Sequence, residues 1–174
     1  MHRRQGRCVL TYIQRAADTK YLRSTRWLRC EGTSVNGVIQ VRREVLAAIV
    51  HEAVRAYPLE ACGLISGPTI GTDSDSATEF HRCDNMAESA RVYTIDPKDH
   101  LRIEREVEDN DHEVIGVVHS HTHSEPYPSP TDVGQAPDPS WHYIIVSLKR
   151  ESPEMRSYRI VDGEISEESI ELID

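Results

Sequence analysis

Apolar positions are irregular over residues 1–37 and become patterned from Val38 onward. Val38-Ile39-Gln40-Val41 predicts a short strand. From Arg42 to Tyr57 the apolar residues Val45, Leu46, Ile49, Val50, Ala53, Val54 and Tyr57 recur at the three- and four-residue intervals of a helix, laying one apolar stripe along it. Pro58 closes that helix, because the residue before a proline is pushed out of helical geometry. Glu60 to Gly67 predicts a strand ending in a Gly-Pro turn, and residues 68–78 predict an acidic, turn-rich surface loop. Glu79 to Arg82 and Val92 to Ile95 predict short strands. Pro97 suits the first position of a helix reaching Asp109. Val114-Ile115-Gly116-Val117-Val118 is a continuous run of strand length, as expected of a strand buried on both faces. His142 to Leu148 predicts another. Arg156 to Val161 and Glu164 to Leu172 flank Asp162-Gly163, the signature of a tight hairpin. No internal repeat is present. Strands mixed with two helices predict a single α/β (α+β) domain over residues 38–174.

Composition and charge narrow the class. Of 174 residues, 38% are hydrophobic and 28% charged, enough apolar material for a core. No run of about 18 apolar residues occurs, so no transmembrane helix is expected. The N-terminus lacks the apolar run and small-residue cleavage site of a secretory signal, so a cytoplasmic location is expected. Cys8, Cys30, Cys62 and Cys83 form no Cys-x-x-Cys pair, which excludes a Cys-rich zinc module and predicts reduced thiols. Residues 1–37 carry eight Lys/Arg against two acids, within a chain of net charge −9. The body is therefore strongly acidic, which argues against nucleic acid as a partner. The basic segment reads as upstream sequence before a later valine start, a disordered arm, or an Arg-rich transit peptide, the first two being favoured.

The chemistry concentrates after the buried run, in Val118-His119-Ser120-His121-Thr122-His123-Ser124-Glu125-Pro126-Tyr127-Pro128-Ser129-Pro130-Thr131-Asp132. Strand side chains repeat every two residues, so His119 and His121 share a side if the strand continues. Two imidazoles at that spacing can bind one metal, and the Pro-rich stretch can turn the chain and return Asp132 as a third ligand. Two histidines, one carboxylate and an open position suit catalytic zinc, which makes hydroxide available near neutral pH. A bare His-x-His, by contrast, is an ordinary polar loop sequence.

The full string resembles the JAMM (MPN+) metallopeptidase pattern: His-x-His, seven residues, serine, two residues, aspartate. Counted from His121, the pattern lands on Ser129 and Asp132. Counted from His123, it lands on Thr131 and Gly134, which leaves His123 as a substrate-side or solvent residue, with a structural metal role as a lesser alternative. The resemblance implies zinc held by His119, His121 and Asp132, and a hydrogen bond from Ser129 to the oxyanion. Tyr57-Pro58-Leu59-Glu60-Ala61-Cys62-Gly63-Leu64 is similar to the family segment that supplies a glutamate, which implies Glu60 as general base. Cys62 reads either as a redox switch beside that glutamate or as a small buried hydrophobe, the second being favoured. Gly63 is expected where backbones pack closely.

Asp84-Asn85-Met86-Ala87, Tyr93-Thr94-Ile95-Asp96-Pro97 and Arg156-Ser157-Tyr158-Arg159-Ile160 further resemble the small bacterial JAMM peptidases of the Mec type, over residues 38–174. That resemblance implies a curved mixed β-sheet flanked by helices. It also implies hydrolysis of the amide bond after the C-terminal Gly-Gly of a ubiquitin-like sulfur-carrier protein, in cysteine biosynthesis. An amidase acting on a small thiol conjugate or peptide, and a non-catalytic MPN scaffold, are the alternatives. The presence of all three ligands and the glutamate counts against the scaffold. A zinc deaminase would need His-x-Glu with Pro-Cys-x-x-Cys, and neither occurs.

Overall fold

The structure, a computed structural model, describes residues 37–68 and 76–174. The reading of residues 1–37 falls, Gly37 apart, outside the described residues. In chain order the elements are β1 (Val38–Arg42), α1 (Arg43–Ala56), β2 (Cys62–Pro68), β3 (Ser76–Ala77), β4 (Glu79–Cys83), α2 (Pro97–Glu108), β5 (His112–His121), α3 (Pro130–Gln135), β6 (His142–Ser147), β7 (Glu154–Val161) and β8 (Glu164–Ile173).

The predicted helices form where their stripes lie. In α1 the residues Val45, Leu46, Ile49, Val50 and Ala53 are buried. No side chain caps its N-terminus at Arg42, an omission worth about 1 kcal/mol. Burial of each large aliphatic side chain returns roughly 1.5–3 kcal/mol, so packing decides this helix. α2 begins as its sequence suggests, with Asp96 accepting a hydrogen bond from the Lys98 amide and Pro97 at its start.

Eight strands form one mixed sheet in the order β3-β1-β8-β7-β6-β5-β2-β4. β1 runs parallel to β3 and β8, and β5 runs parallel to β6. The other neighbours are antiparallel, including the β7–β8 hairpin through Asp162-Gly163. The sheet curls until its edges almost meet. The Thr78 amide, just past β3, donates to the Ser66 carbonyl of β2. At Gly67 an added Cβ would lie 2.1 Å from the Ser76 carbonyl oxygen.

Side chains alternate across this sheet into two cores. One, under α1, gathers Ile39, Val41, Ile49, Val118, Ile144 and Val146. The other, under α2, gathers Leu64, Ile103, Val117, Tyr143, Ile145 and Tyr158. The α+β class and curved mixed sheet expected from sequence are therefore observed.

Four local expectations are corrected. Val92 to Ile95 is not a strand. Only a single bridge joins Ile95 to Asn85, because the Val92 carbonyl and Thr94 amide bond to the Asn85 side chain and not to a neighbouring strand. Within the expected loop 68–78, Pro68 belongs to β2 and Ser76–Ala77 to β3, leaving residues 69–75 outside the description. Finally, Glu60 and Ala61 precede β2, and a short third helix, α3, occupies the stretch read as a simple turn.

Candidate metal centre

The centre lies at the C-terminal end of β5. Val117 packs under α2 and Val118 under α1, so strand alternation sends His119 and His121 to the α2 side and Ser120 to the other. Both histidines are buried. The parallel pairing of β5 with β6 extends to His121, opposite Ser147. The chain then leaves the sheet and re-enters α3 through Ser129-Pro130-Thr131-Asp132. Ser129 caps α3: its hydroxyl accepts from the Asp132 amide at 3.2 Å, and the Asp132 carboxylate accepts from the Ser129 amide at 2.6 Å. This reciprocal cap, with proline at the first helical position, is what aims Asp132 at the histidines.

His119 Nε2 and His121 Nε2 are 3.1 Å apart. Asp132 Oδ1 lies 3.4 Å from His119 Nε2, and Oδ2 lies 3.6 Å from His121 Nε2. Donors held about 2.0–2.1 Å from one tetrahedral zinc lie roughly 3.4 Å from each other. The observed triangle has that size. His121 Nδ1 donates to the Glu125 carbonyl at 2.8 Å, which leaves the Nε2 lone pair of the neutral ring facing the other donors. Among the described residues, these three are the one group of potential ligands that converges in this way. The donor set therefore fits zinc.

The electrostatics agree with a cation-seeking pocket. Burial pushes His119 below its ordinary pKa, favouring the neutral ring. Burial also opposes protonation of His121, but Asp132 and the Glu125 carbonyl outweigh it and raise that ring. Burial opposes ionisation of Asp132, yet the two neighbouring histidines hold its carboxyl well below the usual carboxylate range.

Glu60 is buried beside this group. Burial lifts its carboxyl to about 7, against the lowering influence of His121 and with the support of the negative Asp132. Because Glu60 lies before β2, its position rests on specific bonds. Its amide donates to the Ser89 carbonyl at 2.9 Å, and its carbonyl accepts from Asn85 Nδ2 at 3.0 Å. The next residue, Ala61, is tied to the two-histidine strand: its amide donates to Ser120 Oγ at 2.8 Å and its carbonyl accepts from the Ser120 amide at 3.0 Å. The residue between the two histidines is thus the link that brings the Glu60 segment to them.

The remaining sequence candidates separate. His123 lies outside the donor triangle and is exposed. Its Nδ1 lies 2.6 Å from Thr122 Oγ1, and its ring centroid is 6.5 Å from that of Tyr57. Cys62 is opposite Cys83 in the β2–β4 ladder, and both are free thiols. Burial pushes each to about 12, so neither is a ready nucleophile or redox group, and Cys62 is a core residue. Gly63 is required: an added Cβ would lie 2.5 Å from the His81 carbonyl and 2.5 Å from the Phe80 ring. Sequence reading missed Tyr93, which stacks on His119 with centroids 4.5 Å apart and planes 20° from parallel. It also missed Asn85 and Ser120 as organisers. Nothing local to Tyr93 signals this contact.

Comparison with known proteins points the same way. The family model describing prokaryotic homologs of the JAB domain matches residues 42–161. The CysO-cysteine peptidase of Mycobacterium tuberculosis is 38% identical over 138 residues, covering 79% of this chain and 92% of its own. The desampylase of Haloferax volcanii is 35% identical over 107 residues, covering 61% of this chain and 75% of its own. The solution structure of a Desulfitobacterium hafniense protein superposes with a TM-score of 0.69 at 29% identity, over 78% of this chain and 93% of the other.

Proposed function

The chain belongs to the family of prokaryotic homologs of the JAB domain, and from that membership we propose that it is a zinc-dependent peptidase. Its proposed substrate is a ubiquitin-like sulfur-carrier protein, cut at the amide bond after the C-terminal Gly-Gly so that cysteine is released. The observation that carries this reading is the convergence of His119, His121 and Asp132 beside the buried carboxylate of Glu60. The 38% identity to a CysO-cysteine peptidase supports the substrate.

His119, His121 and Asp132 would hold the zinc, which when bound would supply Lewis acidity toward a carbonyl and lower the pKa of water. Glu60 takes the proton of the attacking water and delivers it to the departing amine. Its burial suits it to both halves of that transfer, because a base works best with a pKa near the operating pH. Ser129 Oγ accepts from the Asp132 amide, so its own proton remains available to the developing oxyanion, an interaction worth about 100- to 1000-fold in turnover. Such a carrier substrate implies work in the cytoplasm. Among the described residues no helix is long and apolar enough to cross a membrane.

The test is the intact mass of a sulfur carrier ending in Gly-Gly-Cys after incubation with the zinc-loaded protein or its Glu60→Gln variant. Wild type should remove one cysteine. Glu60→Gln should be slower by roughly 100- to 10,000-fold while still binding zinc. An unchanged mass with wild type would remove the carrier from the reading, and small thiol amides would then be the substrates to try.

A further inference from the structure

We propose that Asn85 is a positioning residue that holds Glu60 in register with the two-histidine strand. The inference rests on Glu60 being the general base, as proposed above. Glu60 is outside the sheet ladder, so nothing regular fixes its backbone. Both of its backbone groups are instead satisfied by one loop, residues 85–94, through the Ser89 carbonyl and Asn85 Nδ2. That loop is closed by the same side chain. Asn85 Nδ2 also donates to the Val92 carbonyl at 3.0 Å and reaches the Ser89 carbonyl at 3.4 Å. Asn85 Oδ1 accepts from the Ala87 amide at 3.0 Å and the Thr94 amide at 3.1 Å.

No other residue type repeats this pattern. The site asks for an NH₂ directed at carbonyls and an oxygen directed at amides from one short planar group, which is the donor and acceptor inventory of asparagine. Aspartate has the shape but would turn a carboxylate oxygen toward the Glu60, Ser89 and Val92 carbonyls. Ser120 pins the next residue, Ala61, from the metal side. Glu60 therefore lies between two anchors, one on the ligand strand and one on the covering loop. Removing the second frees the carboxylate to leave its place while β5 and α3 still hold the backbones of His119, His121 and Asp132.

The experiment compares wild type, Asn85→Ala, Glu60→Gln and the double variant by amide hydrogen exchange, zinc affinity in competition with a chelator, and steady-state cleavage of the Gly-Gly-Cys carrier. In Asn85→Ala the Glu60 amide should exchange at least about 10-fold faster, with Val117 and Val118 unchanged. Zinc affinity should fall by no more than about 10-fold, the share that Tyr93 of the same loop supplies, and at saturating zinc kcat should fall about 10- to 100-fold with KM within about twofold, as expected of a displaced catalytic group. In the Glu60→Gln background the same substitution should alter residual kcat by less than about twofold, since the two changes act through one group. Equal losses in both backgrounds, or an unchanged Glu60 amide in folded Asn85→Ala, would overturn the proposal. If Asn85→Ala does not fold, Asn85→Asp, which keeps the Ala87 and Thr94 bonds, is carried through the same measurements. If wild type cleaves no carrier, the substrate reading fails, and exchange at the Glu60 amide alone decides the role of Asn85.

Discussion

His121 and His119 are held by different means, and the difference has a measurable consequence. His121 is oriented by a hydrogen bond from Nδ1 to the Glu125 carbonyl. That carbonyl is itself steadied, because the Glu125 side chain is bound by Lys149 and Arg150. The carbonyls on either side accept from Ser147 and Tyr158. His119 has no such bond: its Nδ1 is buried with no hydrogen-bond partner among the described residues. The Tyr93 ring stacked on it does the orienting. Partners that orient a ligand typically change metal affinity by about 10- to 100-fold when removed. Tyr93→Leu should therefore weaken zinc binding by roughly 10-fold, and Tyr93→Phe, which keeps the ring, should not. Competition with a chromophoric chelator measures both. Equal affinity in Tyr93→Leu and wild type would show that packing elsewhere fixes His119.

At the scale of elements, the far end of the sheet carries a buried polar cluster spanning three strands. Glu168 of β8 accepts from Ser157 of β7 at 2.7 Å and from Arg159 at 3.2 Å, and lies 2.6 Å from His142 Nδ1 of β6. Burial alone would raise the Glu168 carboxyl, but the bonds from His142 and Ser157 and the charge of Arg159 outweigh it and leave the pKa lowered. A depressed folded-state pKa means stability that is present above the unfolded value, near 4.5, and lost as pH falls through the folded one. Glu168→Gln should cost about 3 kcal/mol at neutral pH, and its melting temperature should fall less steeply than wild type's below about pH 4.5. Parallel acid dependences in the two proteins would remove Glu168 from the account. β5 and β6 were legible in the sequence as continuous apolar runs buried on both faces, β7 and β8 as the two arms flanking Asp162-Gly163, and the alternation of strand side chains carried His119 and His121 to one side. α3 was not, since six residues are too few to show a period, although Ser129-Pro130-Thr131-Asp132 does carry the capping signature. Val92 to Ile95 was misread because its β-rich composition says nothing about whether a side chain 25 residues after Glu60, Asn85, will take its backbone bonds. Tyr93, Asn85 and Ser120 act through contacts that exist only once distant segments meet, so the converging donors His119, His121 and Asp132 could be read from the chain and their supports could not.

For the molecule as a whole, the centre joins parts of the fold that otherwise touch lightly. Two of the proposed ligands belong to β5 in the middle of the sheet and the third to α3, a helix of six residues that contributes Asp132 as its buried residue. Three donors 3.1–3.6 Å apart are brought to one point by two elements of the fold. A cation held by all three would bind α3 to the sheet. A ligand that binds only the folded state adds stability by mass action, about 2.7 kcal/mol when free zinc is 100 times its dissociation constant. For a domain of this size each kcal/mol moves the melting temperature by roughly 2–4 °C, so zinc at that excess should raise it by about 5–10 °C over protein stripped by a chelator. The shift should grow with the logarithm of zinc concentration. Asp132→Asn, which keeps the capping geometry close to intact but weakens the ligand set, should show a much smaller shift, whereas Glu60→Gln should respond as wild type does. A zinc response in Asp132→Asn equal to that of wild type would place the ion elsewhere. A response lost in Glu60→Gln would make that glutamate a ligand and not a base.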